Sequence, residues 1–311
     1  MALETGANKK RVAFLAILLN YILKTPTKYD IILITIGDFM KNNKYKKKKT
    51  IMIIILILLI IIFLFSLTKV ILWKIDSHKT KSQEFDKNIT EISDNKNTEI
   101  IKQENIDKSN PYWDYIKMKL INVDFSKLKQ ENDQTVGWIQ VKGTNINYPF
   151  VQTTNNDYYL NHSFDKSYNG AGWVFLDYRN NTSIENRNTI IYAHGMQDKT
   201  MFGSLKNIIS SGWLDNEENY VVRLSTEYEN TLWQVFSVYH IPTTNDYLQI
   251  KFNTNKDFKK LTDKLIKRSY HNFNTTVNDT DNILTLSTCW DKKEKVVLHA
   301  KLIKKEKRKT N

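Results

Sequence analysis

Residues 51–67, IMIIILILLIIIFLFSL, carry no charge and consist almost entirely of Ile, Leu and Phe. A helix this long and apolar on every side has no polar face to offer water, so it belongs in a bilayer. The apolar character resumes in VILW and ends at Trp73, a residue suited to a membrane interface. At about 1.5 Å per residue, 51–73 is long enough to cross the hydrocarbon layer. The basic run KNNKYKKKK (41–49) precedes it. Positive charge stays inside, so the chain is expected to be single-pass in the plasma membrane. Residues 40–50 would then be cytoplasmic and everything after residue 74 extracellular. No small-residue cleavage site follows the span, which favours a retained anchor over a removed signal peptide.

Ahead of this anchor, RVAFLAILLNYIL (11–23) and IILITI (31–36) are apolar but interrupted by Lys24, Pro26, Lys28 and Asp30. Met40 opens a conventional anchor of its own. Residues 1–39 are therefore read as an upstream extension, the rival being a second, weak membrane segment.

Beyond the span, residues 74–110 are polar and nearly free of aromatics, the composition of a solvated stalk with at most marginal helix. The character changes at Pro111. In PYWDYIKMKLINVDFSKLKQEN, apolar residues recur at helical spacing and predict one or two amphipathic helices. Short runs rich in Val, Ile, Tyr and Trp follow: VGWIQVKG (136–143), AGWVFLDY (171–178), TIIYAH (189–194), NYVVRLS (219–225), TLWQVFSVYHI (231–241), ILTLSTC (283–289) and KVVLHAKLI (295–303). Asn, Gly and Asp clusters separate them, as expected of strands. NDYYLNHSF (156–164) and MFGSLKNIISSGWL (201–214) read as partly helical. DFKKLTDKLIKRSY (257–270) has Phe258, Leu261 and Leu265 at helical spacing. One domain over 111–303 is predicted, mainly β, a mostly antiparallel barrel or sandwich decorated by helices. Residues 304–311 would be a basic tail.

The formal charge of +13 is concentrated in the two basic runs at 41–49 and 301–309. Neither is interleaved with stacking aromatics or belongs to a nucleic-acid module, so nucleic acid is not the expected partner. The 311 residues contain a single cysteine, Cys289, which excludes an intramolecular disulfide framework and any multi-cysteine zinc site. No Gly-rich phosphate loop or metal-ligand cluster is present, so neither cofactor nor metal is expected.

A lone thiol is either a small buried hydrophobe or a nucleophile. Cys289 ends one strand-like run and Lys295 opens the next, with WDKKE between them. If the runs form a hairpin, the two face each other across its neck, roughly 4.5–5.5 Å apart at Cβ. A cation there favours thiolate and can stabilise an oxyanion. A histidine would complete a pair for acyl transfer. Composition alone does not choose among His78, His162, His194, His240, His271 and His299.

The combination does choose. TLSTC at a strand end, with a preceding strand–His–Gly segment in IIYAHGM, resembles the signature of sortases. The helical N-terminal piece, NDYYLNHSFD and the helix 257–270 resemble class B members. The resemblance implies an eight-stranded β-barrel with N-terminal helices and an inserted helix before the cysteine strand. It also implies a cysteine transpeptidase of Gram-positive bacteria, acting by thiol-protease chemistry. Such enzymes cleave a C-terminal sorting motif of secreted proteins after Thr, through a thioester, and join it to an amine of a peptidoglycan precursor. Carried onto this chain, Cys289 matches the nucleophile and His194 the general acid/base. The family's third residue is an arginine opening the last strand, and Lys295 stands there. Arg gives a planar fork of donors and Lys one compact charge; Arg179, Arg187 and Arg223 are alternative sources. The resemblance places Asn156 and Leu160 on the groove floor, and Thr243, Tyr247 and Leu248 in the motif-reading loop. Strand alternation puts Tyr192 on the face of His194 and Ser287 on the face of Cys289. A peptidase that only hydrolyses, and a weakly active surface binding module, are the competing readings.

Overall fold

Alternation of apolar and polar residues fixes which face of each strand turns inward, and here the inward faces meet inside one ring. The computed structural model describes residues 46–81, 89–103, 106–182, 186–291 and 293–308. The expected extension 1–39 lies outside the described residues. The chain divides into two units at Val70. One long helix, α1, runs Lys46–Lys81. Within it Lys48–Asp76 is long and apolar enough to cross a membrane, and its large apolar side chains from Ile51 to Ile75 are exposed.

In the second unit, β1 (Ile89–Ile92) and β2 (Thr98–Ile100) lead to a one-turn helix α2 (Tyr112–Tyr115), then β3 (Leu120–Val123) and α3 (Phe125–Glu131). The strands β4 (Thr135–Val141), β5 (Asn147–Val151), β6 (Phe175–Leu176), β7 (Asn188–Tyr192), β8 (Val221–Thr226), β9 (Glu229–Pro242), β10 (Ile283–Cys289) and β11 (Glu294–Lys307) follow. A short helix α4 (Ser211–Leu214) lies between β7 and β8, and a longer one, α5 (Asn255–Arg268), between β9 and β10. The strands pair in the order β10-β7-β6-β5-β4-β8-β9-β11, and β10 pairs again with β11. The result is a closed eight-stranded barrel. Its pairings are mixed, because β5–β6 and β7–β10 run parallel and the others antiparallel. β11 is long enough to pair with β10 along its first half and with β2 at Lys304–Glu306.

Trp138, Trp173, Phe150, Phe164 and Phe202 fill the interior, each almost wholly buried. Burying one such side chain contributes about 1.5–3 kcal/mol. Phe150 lies across Gly137, beside a register shift in β4; a Cβ on Gly137 would stand 2.2 Å from that ring. A second cluster forms under α5, which buries the expected Phe258, Leu261 and Leu265 against Phe236, Tyr239 and Val297. Thr254 and Asp257 cap α5 reciprocally: Asp257 N–H donates to Thr254 Oγ1 and Thr254 N–H to the Asp257 carboxylate. This satisfies two amides that a helix start otherwise leaves open.

The structure departs from the sequence expectations in several places. LINV, expected in an amphipathic helix, is strand β3, because it pairs with β1. Residues 89–92 and 98–100, expected in a solvated stalk, are strands supported by those partners. AGWVFLDY contributes only two strand residues; Trp173 leaves the ladder to bury its ring and donate to the Pro149 carbonyl. The strand β5, NYPFV, was not anticipated. The basic stretch after Ile303 continues as strand to Lys307, and Lys304 is fully buried, donating to the carbonyls of Ile116 and Met118.

Candidate active site

The seam that closes the barrel also brings the cysteine and a lysine together. In the β10–β11 ladder, Cys289 is directly opposite Lys295. The expected hairpin is present, and Lys295 Nζ donates to Cys289 Sγ at 2.9 Å. Both side chains open into a cleft of about 260 Å³. The cysteine is half-buried, so the thiol is neither sealed in the core nor loose on the surface.

His194 enters the same cleft from the other flank of β10. It lies two residues beyond β7, which pairs in parallel with β10 as far as Ser287–Tyr192. Thr288 Oγ1 then donates to the Ala193 carbonyl at 2.8 Å, tying the two strand ends together. The Gly after His194 has a steric reason. A Cβ on Gly195 would stand 2.3 Å from the Cys289 carbonyl oxygen and 3.0 Å from Thr288 Oγ1. Only glycine lets the histidine loop close on the cysteine strand. His194 Nε2 is 2.7 Å from the Leu160 carbonyl, which can only accept, so Nε2 carries the proton there.

All the residues singled out as site candidates from sequence line this one cleft. Cys289, His194 and Lys295 are among its lining residues. Asn156 and Leu160 contribute one wall, Tyr192 and Ser287 the strand floor, and Thr243, Tyr247 and Leu248 the opposite loop. Phe175, Ala193, Thr244, Asn245 and Thr288 also line it and were not anticipated. Ser287 and Tyr247 meet through their hydroxyls at 2.9 Å.

Beneath the floor lies a buried carboxylate to which the sequence carries no pointer. Asp177 Oδ2 accepts from Tyr192 Oη at 2.9 Å and from Asn156 Nδ2 at 3.1 Å. Arg179 clasps the same carboxylate through Nε at 2.8 Å and Nη2 at 2.7 Å, and Nη2 also reaches the Leu248 carbonyl. Burial pushes the Asp177 carboxyl up, but the Arg179 and Tyr192 hydrogen bonds outweigh it and hold the group below its ordinary value. Burial, then the Asp177 charge, push the Tyr192 phenol upward, so it stays a donor. One anion thus fixes a floor residue, a wall residue and the loop facing them.

That loop is held from outside as well. Asp246 accepts a two-pronged contact from Arg268 at 2.8 and 2.6 Å and a third from Lys264 at 2.6 Å, both on α5. These hydrogen bonds, Arg268 first, hold the Asp246 carboxyl well below the usual carboxylate range.

None of the alternative arginines lines the cleft. Arg179 serves Asp177, Arg187 lies over the Phe258 ring and donates to the Asp279 carbonyl, and Arg223 binds Gln140 and Glu91. Four other histidines are also placed elsewhere. His162 stacks on Tyr158, His240 pairs with Glu294, His271 meets the Tyr220 hydroxyl, and His299 is fully buried. The side chain of His78 lies outside the described residues.

Comparison with known proteins gives a consistent result. The sortase domain family model matches residues 139–303. Sortase B of Staphylococcus aureus is 33% identical over 188 residues, covering 59% of this chain and 76% of the relative. Sortase B of Listeria monocytogenes is 34% identical over 186 residues, covering 57% and 73%. A Bacillus anthracis crystal structure described as similar to sortase B aligns at TM-score 0.54 with 40% identity, over 60% of this chain and 83% of that one. A Staphylococcus aureus sortase B–substrate complex aligns at TM-score 0.54 with 33% identity, over 58% and 84%.

Proposed function

The chain belongs to the sortase family, in its class B branch, and from that premise we propose that it is a membrane-anchored cysteine transpeptidase with Cys289 as nucleophile. The observation that carries the proposal is the 2.9 Å contact of the Lys295 ammonium with the Cys289 sulfur, in one cleft with His194.

The Cys289 thiolate attacks the carbonyl carbon of the Thr in a sorting motif, and the carbonyl electrons move to an oxyanion. Lys295, first partner of the thiolate, is placed to stabilise that oxyanion in the position the family gives to Arg. Collapse breaks the Thr–amine bond. Protonated His194 gives its proton to the departing amine and leaves a thioester on Cys289. An incoming amine then gives a proton to His194 and displaces the thiolate, forming the new amide. Water in the same role gives hydrolysis. Asn156, Leu160, Tyr192, Ser287, Thr243, Tyr247 and Leu248 hold the motif along the cleft. A sortase B solved as a substrate complex and another solved in complex with triglycine support the reading of a peptide on one side and an amine on the other.

The proposal includes the placement of the chain. Residues 51–73 anchor it, residues 40–50 stay in the cytoplasm, and the barrel faces the wall, where secreted proteins and peptidoglycan amines are met.

The test uses the full chain in detergent with Thr-containing sorting peptides and a wall-type amine, products being read by mass spectrometry. Cleavage after Thr with amine ligation, lost in Cys289→Ala, is expected. Cleavage without ligation would replace transpeptidase by peptidase. No cleavage and no adduct on Cys289 would leave a binding module.

A further inference from the structure

One ammonium stands against the cysteine sulfur in the cleft, and a second is bonded to the backbone just past the cysteine. Lys206 stands in the 3-10 segment Gly203–Ile209, whose first residue packs against the Met196 carbonyl of the histidine loop. Its Nζ donates to the carbonyl of Trp290, the residue next to Cys289, at 2.8 Å. The same ammonium sits 5.9 Å from the centre of the Trp290 ring. Its stem packs on Gly195: a Cβ there would stand 2.9 Å from Lys206 Cε as well as 2.3 Å from the Cys289 carbonyl. Gly195 is therefore the point where the histidine loop, the cysteine strand and Lys206 converge.

We propose that Lys206 is a positioning residue of the reaction: it fixes the peptide that follows the nucleophile and adds a second positive charge to the thiolate's surroundings. The proposal rests on Cys289 being the nucleophile and adds to that reading a group outside the Cys–His–Lys set.

The charges around Lys206 set its strength. Burial and the neighbouring Lys199 push the Lys206 ammonium toward its neutral form, while Cys289 and Asp291 pull it back toward the charged one. Cys289 itself faces Lys295, His194 and Tyr247 in the cleft. A negative charge on the sulfur favours the charged form of Lys206, so part of the cost of half-burying the lysine is offset when the sulfur is ionised. The Trp290 carbonyl supplies the directional contact that keeps the ammonium in range.

The experiment follows alkylation of Cys289 by iodoacetamide from pH 5 to 9 in the full chain, alongside peptide turnover. Lys206→Met keeps the apolar stem on Gly195 and removes the charge. The expected result is an alkaline move of its alkylation profile by about half a pH unit, roughly a threefold loss of rate on the rising limb. Turnover should fall at least as far, with the thermal midpoint unchanged. Lys206→Arg should restore both. A Met variant with the parent profile overturns the inference. So does an equal loss in the Met and Arg variants, which would mean a packing role only. If the parent chain shows no turnover, and Cys289 labels no faster than a free thiol, the functional reading fails instead, and the two failures are distinguishable.

Discussion

The ammonium of Lys295 donates to the sulfur of Cys289 over 2.9 Å, across the terminal rung of the β10–β11 seam. The register of a short hairpin loop thus places a cation against the one thiol of the chain. Lys295→Ala should lower kcat/KM by about 10²–10³, the usual effect of removing an oxyanion donor. Lys295→Arg should keep most of the activity, because charge and position persist. Steady-state kinetics on both variants checks this, and unimpaired turnover in the Ala variant removes Lys295 from the mechanism.

Asp177 holds the cleft floor without touching the reacting atoms. Asp177→Asn removes the charge that orders Tyr192, Asn156 and Arg179. KM for the sorting peptide should rise by about tenfold, since a buried charged hydrogen-bond network is worth more than about 1.5 kcal/mol. The rate of Cys289 alkylation should not change. A variant whose thiol reactivity falls with its KM unchanged would place Asp177 in the chemistry instead.

Gly195→Ala introduces a Cβ at 2.3 Å from the Cys289 carbonyl. The loop must yield to relieve that overlap, and His194 moves with it. Misplacement on the scale of an ångström is expected to cost about 10²-fold in kcat, with the thermal midpoint lowered only slightly. A Gly195→Ala variant of parental kcat would show that the histidine loop tolerates displacement.

The Asp246–Arg268 clasp carries a pH dependence of known sign. A carboxyl held below its ordinary value contributes stability above the normal carboxylate range and loses it as pH falls through its folded value. The loop at 243–248 should therefore stay anchored at mildly acidic pH and release only in strong acid. Arg268→Ala should move the release upward toward the ordinary carboxylate range, with Lys264 still holding the group somewhat below it, seen as a rise in peptide KM in mild acid that the parent lacks.

His299 adds a second dependence of a different origin. It is fully buried, receiving the Tyr239 hydroxyl on Nε2 and meeting Thr285 through Nδ1. Burial lowers its value from 6.5 to about 3, Arg268 adding to the effect. The unfolded chain takes up a proton that the fold refuses, so stability is intact above about pH 6.5 and declines as pH falls toward about 3. The slope for one proton is about 1.4 kcal/mol per pH unit. Denaturant melts of His299→Gln against pH should show that slope reduced by one proton's worth.

Local signals are legible in the sequence, and tertiary ones are not. The cysteine–lysine hairpin can be read because both strands alternate cleanly and a short loop joins them. Tyr192 and Ser287 follow from strand period alone, and Phe258, Leu261 and Leu265 from helix period. ITEI and TEI have no comparable signal. They are strands because β3 and β11 offer them edges, which no window of sequence contains. LINV fits either period, and pairing with β1 decides it. Lys304 looks like part of a tail because lysine is normally solvated, yet two carbonyls at the end of α2 and beyond make a buried site for it. Asp177 and Lys206 escape a sequence reading because their importance lies in partners far away in the chain.

The barrel's order of pairing separates the site into a local part and a long-range one. Cys289 and Lys295 are six residues apart and meet through a local hairpin. The histidine end of β7 reaches that hairpin only through contacts such as Thr288 to Ala193, which span 95 residues. Closing a contact of such separation costs more chain entropy than closing a hairpin. A chain whose ring is still open can therefore bring its thiol and ammonium together without His194 beside them. On the mechanism proposed for this cleft, closure of the ring is what completes the set, so an open ring would hold a nucleophile with no partner to release what it captured.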